Sequence, residues 1–310
     1  MKEIQDKFKL RYIFYTVYGW GLFAVVFAVL FLIFAPVCLL LCLFGIDKKR
    51  KTIIWCIKLA CKTFFFLFIG HKIILKNDSV GKMKKGEKRM YLINHSSIYD
   101  VILAYILPGA SRFVIKDKWM KKPFVGWIQQ LAGNVVVGED KPEKHQIADG
   151  EPDSIMETVK AFEQEMPIIV FPEGTRSKNG QIQRFKRGAF KIALTGHVDF
   201  VPVIMDDWNC VRPTGAGVWI RDIRPQVTLL PAIKYENYKH LTHAELAKLM
   251  RYIMTKKLYE MREERKAANK KDYRHATKFV EEDKKVKESL DVLKKELEEK
   301  NIKLNDYQYE

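Results

Sequence analysis

The feature that most constrains this chain is a long uncharged run near its N-terminus. The 35 residues between Arg11 and Asp47 include no Lys, Arg, Asp, Glu or His. About 20 apolar residues suffice to cross a bilayer as a helix, so this run is long enough to lie in lipid. It is too long for the apolar region of a signal peptide, and no small-residue cleavage pattern follows it, so we expect it to be retained. The sequence therefore predicts a membrane-embedded segment.

Two arrangements of this segment are compatible with the sequence. Pro36 interrupts the run, and a proline can either kink one long helix or mark the turn of a re-entrant hairpin. Basic residues flank the run on both sides, within 2–11 and 48–51, so the charge asymmetry that orients membrane helices is absent. A spanning helix and a re-entrant segment with both ends in the cytoplasm both remain open.

A second apolar stretch follows at 52–70. Its two charges, Lys58 and Lys62, share a helical face with Lys51 at spacings of seven and four. This pattern favours an interfacial helix that pairs with the first one and dips into one leaflet. A second spanning helix with snorkelling lysines is the alternative. We assign 1–71 to an N-terminal membrane anchor.

From Lys72 onward, short apolar runs alternate with longer helical patterns, which is typical of an α/β domain. We expect strands at 90–93, 112–115, 135–137, 168–171, 200–204 and 218–223, and helices at 98–106, 119–131, 153–165 and 188–194. The polar segment 140–152 is expected to be a loop. Helix formers dominate 241–310, a charged tail, whose short heptad repeat favours a helix packed on its own domain. The repeat consists of Val286, Leu290, Leu293 and Leu297.

The charge balance indicates an anionic partner. The chain has 54 Lys and Arg against 37 Asp and Glu, a formal charge of +17, which suits an acidic membrane surface, a phosphorylated substrate or nucleic acid. No nucleic-acid recognition signature occurs, and the aromatic residues concentrate in the apolar segment, so we expect no nucleic-acid partner. The five cysteines form no C-x-x-C pair, so we expect neither a disulfide framework nor a metal site.

The first candidate site is the segment 94–100, Asn-His-Ser-Ser-Ile-Tyr-Asp, which follows the expected strand 90–93. His95 is suited to act as a general base for a hydroxyl, and Asp100 can fix its tautomer. Residues five apart do not meet on one helix, because each residue turns about 100°. The pair therefore meets only if His95 lies in a turn and Asp100 in the first helical turn. The alternative is a capping box from Ser97 to Asp100, in which His95 has no role.

The second candidate site is the segment 171–177, Phe-Pro-Glu-Gly-Thr-Arg-Ser, after the expected strand 168–171. Arg176 can hold a phosphate through two hydrogen bonds, Gly174 allows backbone N–H groups to approach an anion, and Glu173 can accept from a hydroxyl. An ordinary turn is the alternative. No G-x-S-x-G, P-loop or H-E-x-x-H motif occurs, which argues against a serine hydrolase, a P-loop NTPase and a zincin.

Taken in order, these motifs resemble the glycerolipid acyltransferase family. Its H-x4-D block is similar to His95 and Asp100, its F-P-E-G-T-R-S block to 171–177, and its V-P-V block to 201–203. The resemblance runs from about residue 75 to about residue 226, half of the chain. It implies an α/β fold with a mixed, mostly parallel sheet flanked by helices, and it makes 72–240 the acyltransferase catalytic domain.

The resemblance also implies a reaction. A fatty acyl group passes from acyl-CoA or acyl carrier protein to the free hydroxyl of lysophosphatidic acid, giving phosphatidic acid for phospholipid biosynthesis. Because a thioester is already activated, a His–Asp base suffices, and no cofactor beyond the acyl donor is expected. By resemblance His95 is the base, Asp100 orients it, and Pro202 shapes the acyl side. The residues implied to bind the acceptor are Glu173, Gly174, Thr175 and Arg176.

One block departs from the family. Its second motif usually runs Gly-Asn, three apolar residues, then Asp-Arg, and the arginine helps to hold the acceptor phosphate. Here 133–137 continues as Gly138-Glu139-Asp140. Either Arg176 acts with other cations, namely Lys116, Lys118 and the run 184–187 that contains Lys186, or the acceptor is a different lyso-lipid.

Three functions follow for comparison. The leading expectation is a membrane-bound enzyme whose catalytic domain lies on the cytoplasmic face, with membrane lipids, a lysophospholipid acceptor and the acyl donor as partners. The first alternative acylates another lyso-lipid, such as a lyso-aminolipid. The second is a catalytically idle module that binds membrane lipid, against which the intact His95 and Asp100 argue.

Overall fold

The computed structural model of the protein describes residues 10–48, 50–68, 74–77, 83–109, 111–137, 153–177, 180–207, 225–268, 277–302 and 304–307. The uncharged run forms one continuous helical segment. Helix α1 (Leu10–Val29) passes through a π-helical turn (Leu30–Phe34) into α2 (Ala35–Leu43). Among the described residues, Tyr12–Leu43 is the one helix long and apolar enough to cross a membrane.

Pro36 does not turn the chain back. It lies at the start of α2, directly after the π-helical turn. Proline lacks an N–H group and its ring collides with the carbonyl four residues earlier, and a wider π-turn is one way in which a helix accommodates this defect. Of the two expected arrangements, the long helix forms and the hairpin at Pro36 does not.

Helix α3 (Lys51–Leu67) packs against α1. The Tyr18 hydroxyl donates to the Leu67 carbonyl at 2.6 Å, and the Phe23 and Phe64 rings meet at 5.8 Å between centroids. The expected pairing of the two helices is therefore present, whereas their depth in a leaflet stays a prediction. Lys58 departs from the expected interfacial face, because its Nζ donates to the Leu107 and Gly109 carbonyls at 2.6 and 3.2 Å.

Within the described residues, seven strands form a mixed sheet in the order β1-β7-β6-β2-β5-β3-β4. All neighbours are parallel except β6 and β7. The expected α/β class and mostly parallel sheet are confirmed. The strands are β1 (Ile74–Asn77), β2 (Arg89–Ile93), β3 (Arg112–Lys116), β4 (Val135–Val137), β5 (Ile168–Val170), β6 (Asp199–Asp206) and β7 (Gln226–Leu229).

Helices cover both faces of this sheet. Side chains alternate along β2, so Tyr91 and Ile93 share an apolar core with α3, while Met90 and Leu92 share a core with the helices on the other face. Helix α3 is thus part of one layer of the domain. The remaining helices are α4 (Tyr99–Ala104), α5 (Asp117–Met120), α6 (Val125–Leu131), α7 (Asp153–Phe162), α8 (Gly188–Gly196), α9 (Tyr235–Tyr238), α10 (His243–Ala268) and α11 (Thr277–Glu298).

Two sequence expectations for this domain were wrong or incomplete. The single helix expected at 119–131 is two short helices, α5 and α6, because Pro123 disfavours helical backbone in the residue before it. Strands β1 and β7 were missed, because half of their residues are polar and they do not stand out as apolar runs. The expected strand 218–223 and loop 140–152 lie outside the described residues.

The C-terminal helices pack on the domain, as expected. Val286, Leu293 and Leu297 of the heptad repeat are buried, and Leu297 belongs to the core beside the sheet. A buried ion cluster joins these helices to β6. The Arg262 guanidinium, 1% exposed, donates to both Asp206 oxygens at 2.8–3.2 Å and to Asp283 at 3.2 Å.

Substitution of Arg262 by Met should lower the free energy of unfolding by about 3–5 kcal/mol, because it removes a buried cation from the Asp206 and Asp283 carboxylates. Asp283 still pairs with Lys266 at 2.8 Å, so most of the loss should come from Asp206. Chemical denaturation of the detergent-solubilised protein measures this change. The matched control is Lys248→Met, which breaks the half-exposed Lys248–Glu296 pair between the same two helices and should cost less than about 1 kcal/mol. Equal losses in the two variants would contradict the structural role of the cluster.

Candidate active site

The site begins where β2 ends. The Asn94 side chain extends the pairing of β2 with β6, because its Nδ2 donates to the Met205 carbonyl at 2.9 Å and its Oδ1 accepts from the Met205 N–H at 2.7 Å. Both bonds are buried. They hold the end of β2 at a set position, from which the chain turns out of the sheet at His95.

His95 and Asp100 meet as their chemistry requires. His95 lies in the turn, Asp100 is the second residue of α4, and Nδ1 of His95 is 2.9 Å from Oδ2 of Asp100. The carboxylate, which is 0% exposed, also accepts the backbone N–H groups of Ser96 and Ser97 at 2.5 and 2.7 Å. An ionised carboxylate can only accept, so Nδ1 carries the proton and Nε2 is the ring nitrogen able to take another.

The capping alternative is partly realised. The Ser97 N–H reaches the Asp100 carboxylate, as in a capping box. The same oxygen binds the His95 ring, so capping and the His–Asp pair occur together, and neither excludes the other.

Aromatic packing fixes the plane of the imidazole. The Phe171 ring stacks on His95 with centroids 4.4 Å apart and planes 30° apart, and Phe113 stacks behind Phe171 at 6.2 Å. Phe171 follows β5, which lies next to β2 in the sheet. The two sequence motifs therefore meet at the carboxyl ends of adjacent parallel strands, where α/β folds place their sites.

Glu173 binds the backbone of the site. Its Oε1 accepts the His95 N–H at 2.8 Å and its Oε2 accepts the Gln183 N–H at 2.9 Å, and the residue is 3% exposed. Burial raises the pKa of Glu173 to about 7, against the lowering effect of these two hydrogen bonds. The geometry makes Glu173 a positioning residue, while the direct acceptor contact expected from sequence stays a prediction.

The following residues are more open. Gly174 has φ +65°, a conformation that favours glycine, and a Cβ there would lie 3.0 Å from the Lys186 side chain. Thr175, Arg176 and Lys186 are exposed. The Ser177 N–H donates to the His95 carbonyl at 2.7 Å, so the chain that carries Arg176 is attached to the turn that carries His95.

Two other predicted site residues lie in strands. Lys116 is half-buried at the carboxyl end of β3, on the same edge of the sheet as His95. Pro202 is buried within β6, in register with Leu92 of β2, and its carbonyl accepts the Leu230 N–H at 2.9 Å. The role of Pro202 on the acyl side stays a prediction.

The described part of the second family block, residues 133–137, has a structural role. Asn134 accepts the Phe113 N–H at 2.9 Å through Oδ1, and its Nδ2 donates to the Tyr105 hydroxyl at 3.3 Å. These bonds hold β3 near the start of β4. The departure at Glu139 and Asp140 lies outside the described residues.

Sequence reasoning missed three residues that hold the site. The Asn94 side chain binds the backbone of Met205, and the Gln183 backbone N–H donates to Glu173. No motif specifies either contact. Arg262 also donates to the Gly180 carbonyl at 2.9 Å, and so attaches α10 to the chain between Ser177 and Gln183. The available signal was the position of Arg262 four residues after Leu258, on the helical face that also carries Met250 and Met254. Within the described ranges, no group of three or more His, Cys, Asp or Glu side chains is placed to hold a metal ion.

The fold and this pair of motifs define an α/β protein with a His–Asp pair at a sheet edge. A family model described as Acyltransferase matches residues 77–206. The 1-acyl-sn-glycerol-3-phosphate acyltransferase of Escherichia coli strain K12 is 32% identical over 189 residues, which cover 58% of this chain and 72% of that protein. The chain belongs to this acyltransferase family.

Two further comparisons concern part of the chain and its fold. The chloroplastic 1-acyl-sn-glycerol-3-phosphate acyltransferase LPAT1 of Arabidopsis thaliana is 29% identical over 127 residues, 41% of this chain but 34% of that protein. The crystal structure of the 1-acyl-sn-glycerophosphate (LPA) acyltransferase PlsC from Thermotoga maritima superposes with a TM-score of 0.63 and 19% identity, covering 81% of this chain and 96% of that one. This likeness confirms the fold.

Substitution of Glu173 by Gln should lower kcat on the order of tenfold, because an amide NH₂ faces one of the two backbone donors and leaves it unpaired. The exposed Glu163→Gln is the matched control. Because the pKa of folded Glu173 is raised from 4.5 to about 7, the folded state binds the proton more tightly. The free energy of unfolding therefore falls as pH rises through this window, and Glu173→Gln should flatten that slope. A variant with wild-type kcat and slope would refute the positioning role.

Proposed function

We propose that the protein is a membrane-bound O-acyltransferase that acylates the free hydroxyl of lysophosphatidic acid, using acyl-CoA or acyl carrier protein, to give phosphatidic acid. The observation that carries this proposal is the His95–Asp100 pair at 2.9 Å, attached through Ser177 to the chain that bears Arg176. A base beside an exposed cation suits an acceptor that has both a hydroxyl and a phosphate.

The chemistry needs one base that later acts as an acid. Nε2 of His95 takes the proton of the acceptor hydroxyl, and the oxygen attacks the thioester carbonyl carbon. Asp100 stabilises the imidazolium that forms. The C–S bond breaks as the new ester C–O bond is completed, and Nε2 returns the proton to the leaving thiolate. No covalent acyl-enzyme is required, because the thioester is already activated.

The acceptor phosphate would be held by cations around this base. Arg176 can bind it through two hydrogen bonds, and Lys186 and Lys116 add charge at the same edge of the sheet. These side chains would replace the family arginine at the position of Glu139.

A membrane location is supported by the apolar helix. In its most apolar stretch, 17% of the residues are buried within the protein, whereas the core helix of a soluble domain is mostly buried. The catalytic domain is proposed to lie on the cytoplasmic face, where acyl thioesters are made. The net charge of +17 suits the anionic lipids of that face.

A second candidate acceptor is a lyso-aminolipid or another lysophospholipid. The acid at Glu139, where the family has an arginine, favours it. A panel of acceptors with one acyl thioester, scored by mass spectrometry of the products, separates the two. Product from lysophosphatidic acid alone supports the leading proposal, whereas product from another acceptor alone keeps the chemistry and overturns the substrate.

Substitution of His95 by Ala should lower kcat about 10²–10⁴-fold, because a positioned base contributes that much. The variant should stay folded but unfold at a lower temperature, because the buried Asp100 carboxylate loses one of its three donors. The exposed His240→Ala is the matched control and should keep wild-type activity. Wild-type turnover in His95→Ala would exclude the proposed base.

Substitution of Arg176 by Ala should raise KM for lysophosphatidic acid roughly tenfold and leave kcat within about twofold, if the guanidinium binds the phosphate equally in ground and transition states. Initial rates at varied acceptor concentration measure both constants. Lys239→Ala removes an exposed cation that follows α9. The N–H of Tyr235 in α9 bonds Asp199 at the amino end of β6, opposite to the candidate site, so this variant should change neither KM nor kcat. An unchanged KM in Arg176→Ala would place the phosphate elsewhere.

A further inference from the structure

The catalytic domain exposes a patch of large apolar side chains. It lies on the aromatic hairpin, defined here as residues 117–131, which contains α5 and α6. Trp119, Phe124 and Trp127 are 45%, 58% and 53% exposed, and Val125 adds a further apolar surface. Isolated exposed apolar residues are ordinary, but a cluster of this size on one hairpin marks an interaction surface.

The backbone holds this patch in place. Phe124 has φ +61° and ψ −52°, and the Val125 N–H donates to the Pro123 carbonyl at 2.7 Å. This is a γ-turn of the rare, strained kind, and such strain persists only where the surrounding structure enforces it. Gly126 permits the close packing around this turn, because a Cβ there would lie 1.9 Å from the Met120 carbonyl oxygen. The Gly126 N–H also donates to the Lys122 carbonyl at 2.7 Å, so backbone contacts on both sides hold the turn that presents the Phe124 ring.

The patch is continuous with the apolar helix. The Phe31 ring, in the candidate membrane span Tyr12–Leu43, contacts Phe124 at 5.0 Å and Trp127 at 5.8 Å between centroids. Whatever medium surrounds the helix at Phe31 therefore also reaches the hairpin. Aromatic side chains of this kind concentrate at the level of lipid headgroups.

Cations border the same patch. Lys118, Lys121 and Lys122 are exposed within the hairpin. Asp117 is its one acidic residue and pairs with Lys121 at 2.7 Å. A surface that combines aromatic rings with excess positive charge is complementary to the headgroup region of an anionic bilayer.

We propose that the aromatic hairpin is a second membrane contact, which docks the catalytic domain onto the headgroup region of an anionic leaflet beside the apolar helix. This inference rests on the proposed membrane location. Because α5 follows β3 directly, and the carboxyl ends of β3 and β2 lie at one edge of the sheet, the contact would hold His95 close to the lipid surface. An acceptor resident in that leaflet could then reach the base without leaving the bilayer.

The first test measures contact with lipid directly. The full chain is reconstituted in phosphatidylglycerol-containing vesicles whose acyl chains carry bromine either near the headgroup or near the chain end. The difference in tryptophan emission between the wild type and Trp127→Phe gives the fluorescence of Trp127. We expect the bromines near the headgroup to quench this fluorescence more strongly than those near the chain end. No quenching by either set would overturn the proposal. This readout needs no activity, so it is distinguishable from failure of the proposed reaction.

The second test measures the use of the surface. In Trp119→Ser/Phe124→Ser, KM for a long-chain acceptor resident in vesicles should rise roughly tenfold, while turnover of a short-chain, water-soluble acceptor stays within about twofold. Val292→Ser is the matched control, because Val292 is also 58% exposed but lies on α11. An unchanged KM for the vesicle acceptor would overturn the proposal, and the quenching test still decides if the double variant fails to fold.

A second copy of the chain is the competing occupant of this surface. Sedimentation in detergent of the wild type and of Trp119→Ser/Phe124→Ser decides between them. A monomer in both supports docking on lipid. A wild-type dimer that the double substitution dissociates would overturn it.

Discussion

The carboxylate of Asp100 has no access to solvent, and the arrangement of the site depends on how that buried charge is satisfied. One of its oxygens binds the His95 ring and two backbone N–H groups. A buried charge with fewer donors would be costly, so the turn between β2 and α4 must close around it. The Glu173 side chain acts in the same way, because it accepts the backbone N–H groups of His95 and Gln183. Two buried acids thus convert two separate loops into one rigid site.

The segments at both ends of the chain are parts of the same fold. Helix α3 supplies a core layer to one face of the sheet and is attached through Lys58 to the Leu107 and Gly109 carbonyls. Helix α10 covers the other face and is attached through Arg262 to β6 and to Gly180. The His95–Asp100 pair is therefore supported from the N-terminal apolar helices on one side and from the charged C-terminal helices on the other. This support explains how a site built on loops can hold a set geometry.

Much of this arrangement could be predicted. The strands before His95 and before Pro172 were expected within a residue or two, because buried parallel strands are short apolar runs. The condition that His95 lie in a turn and Asp100 in the first helical turn is confirmed. The break between α5 and α6 was not predicted, although Pro123 marks it. The strained turn at Phe124 could not be predicted from the sequence, since it depends on the contact between Gly126 and Met120.

The sequence by itself determined which chemistry is available. Residue types at set spacings specify the His–Asp pair, the Pro-Glu-Gly-Thr-Arg turn and the uncharged helix. Local pattern decides which segments are apolar, and the functional groups are fixed by the residue types themselves. Only the tertiary structure decided that Glu173 binds backbone N–H groups, that Lys58 faces the domain and that Arg262 is buried. These roles arise from partners distant in sequence. A polar side chain takes whichever donor or acceptor the packed chain brings to it, and the linear order does not record that choice.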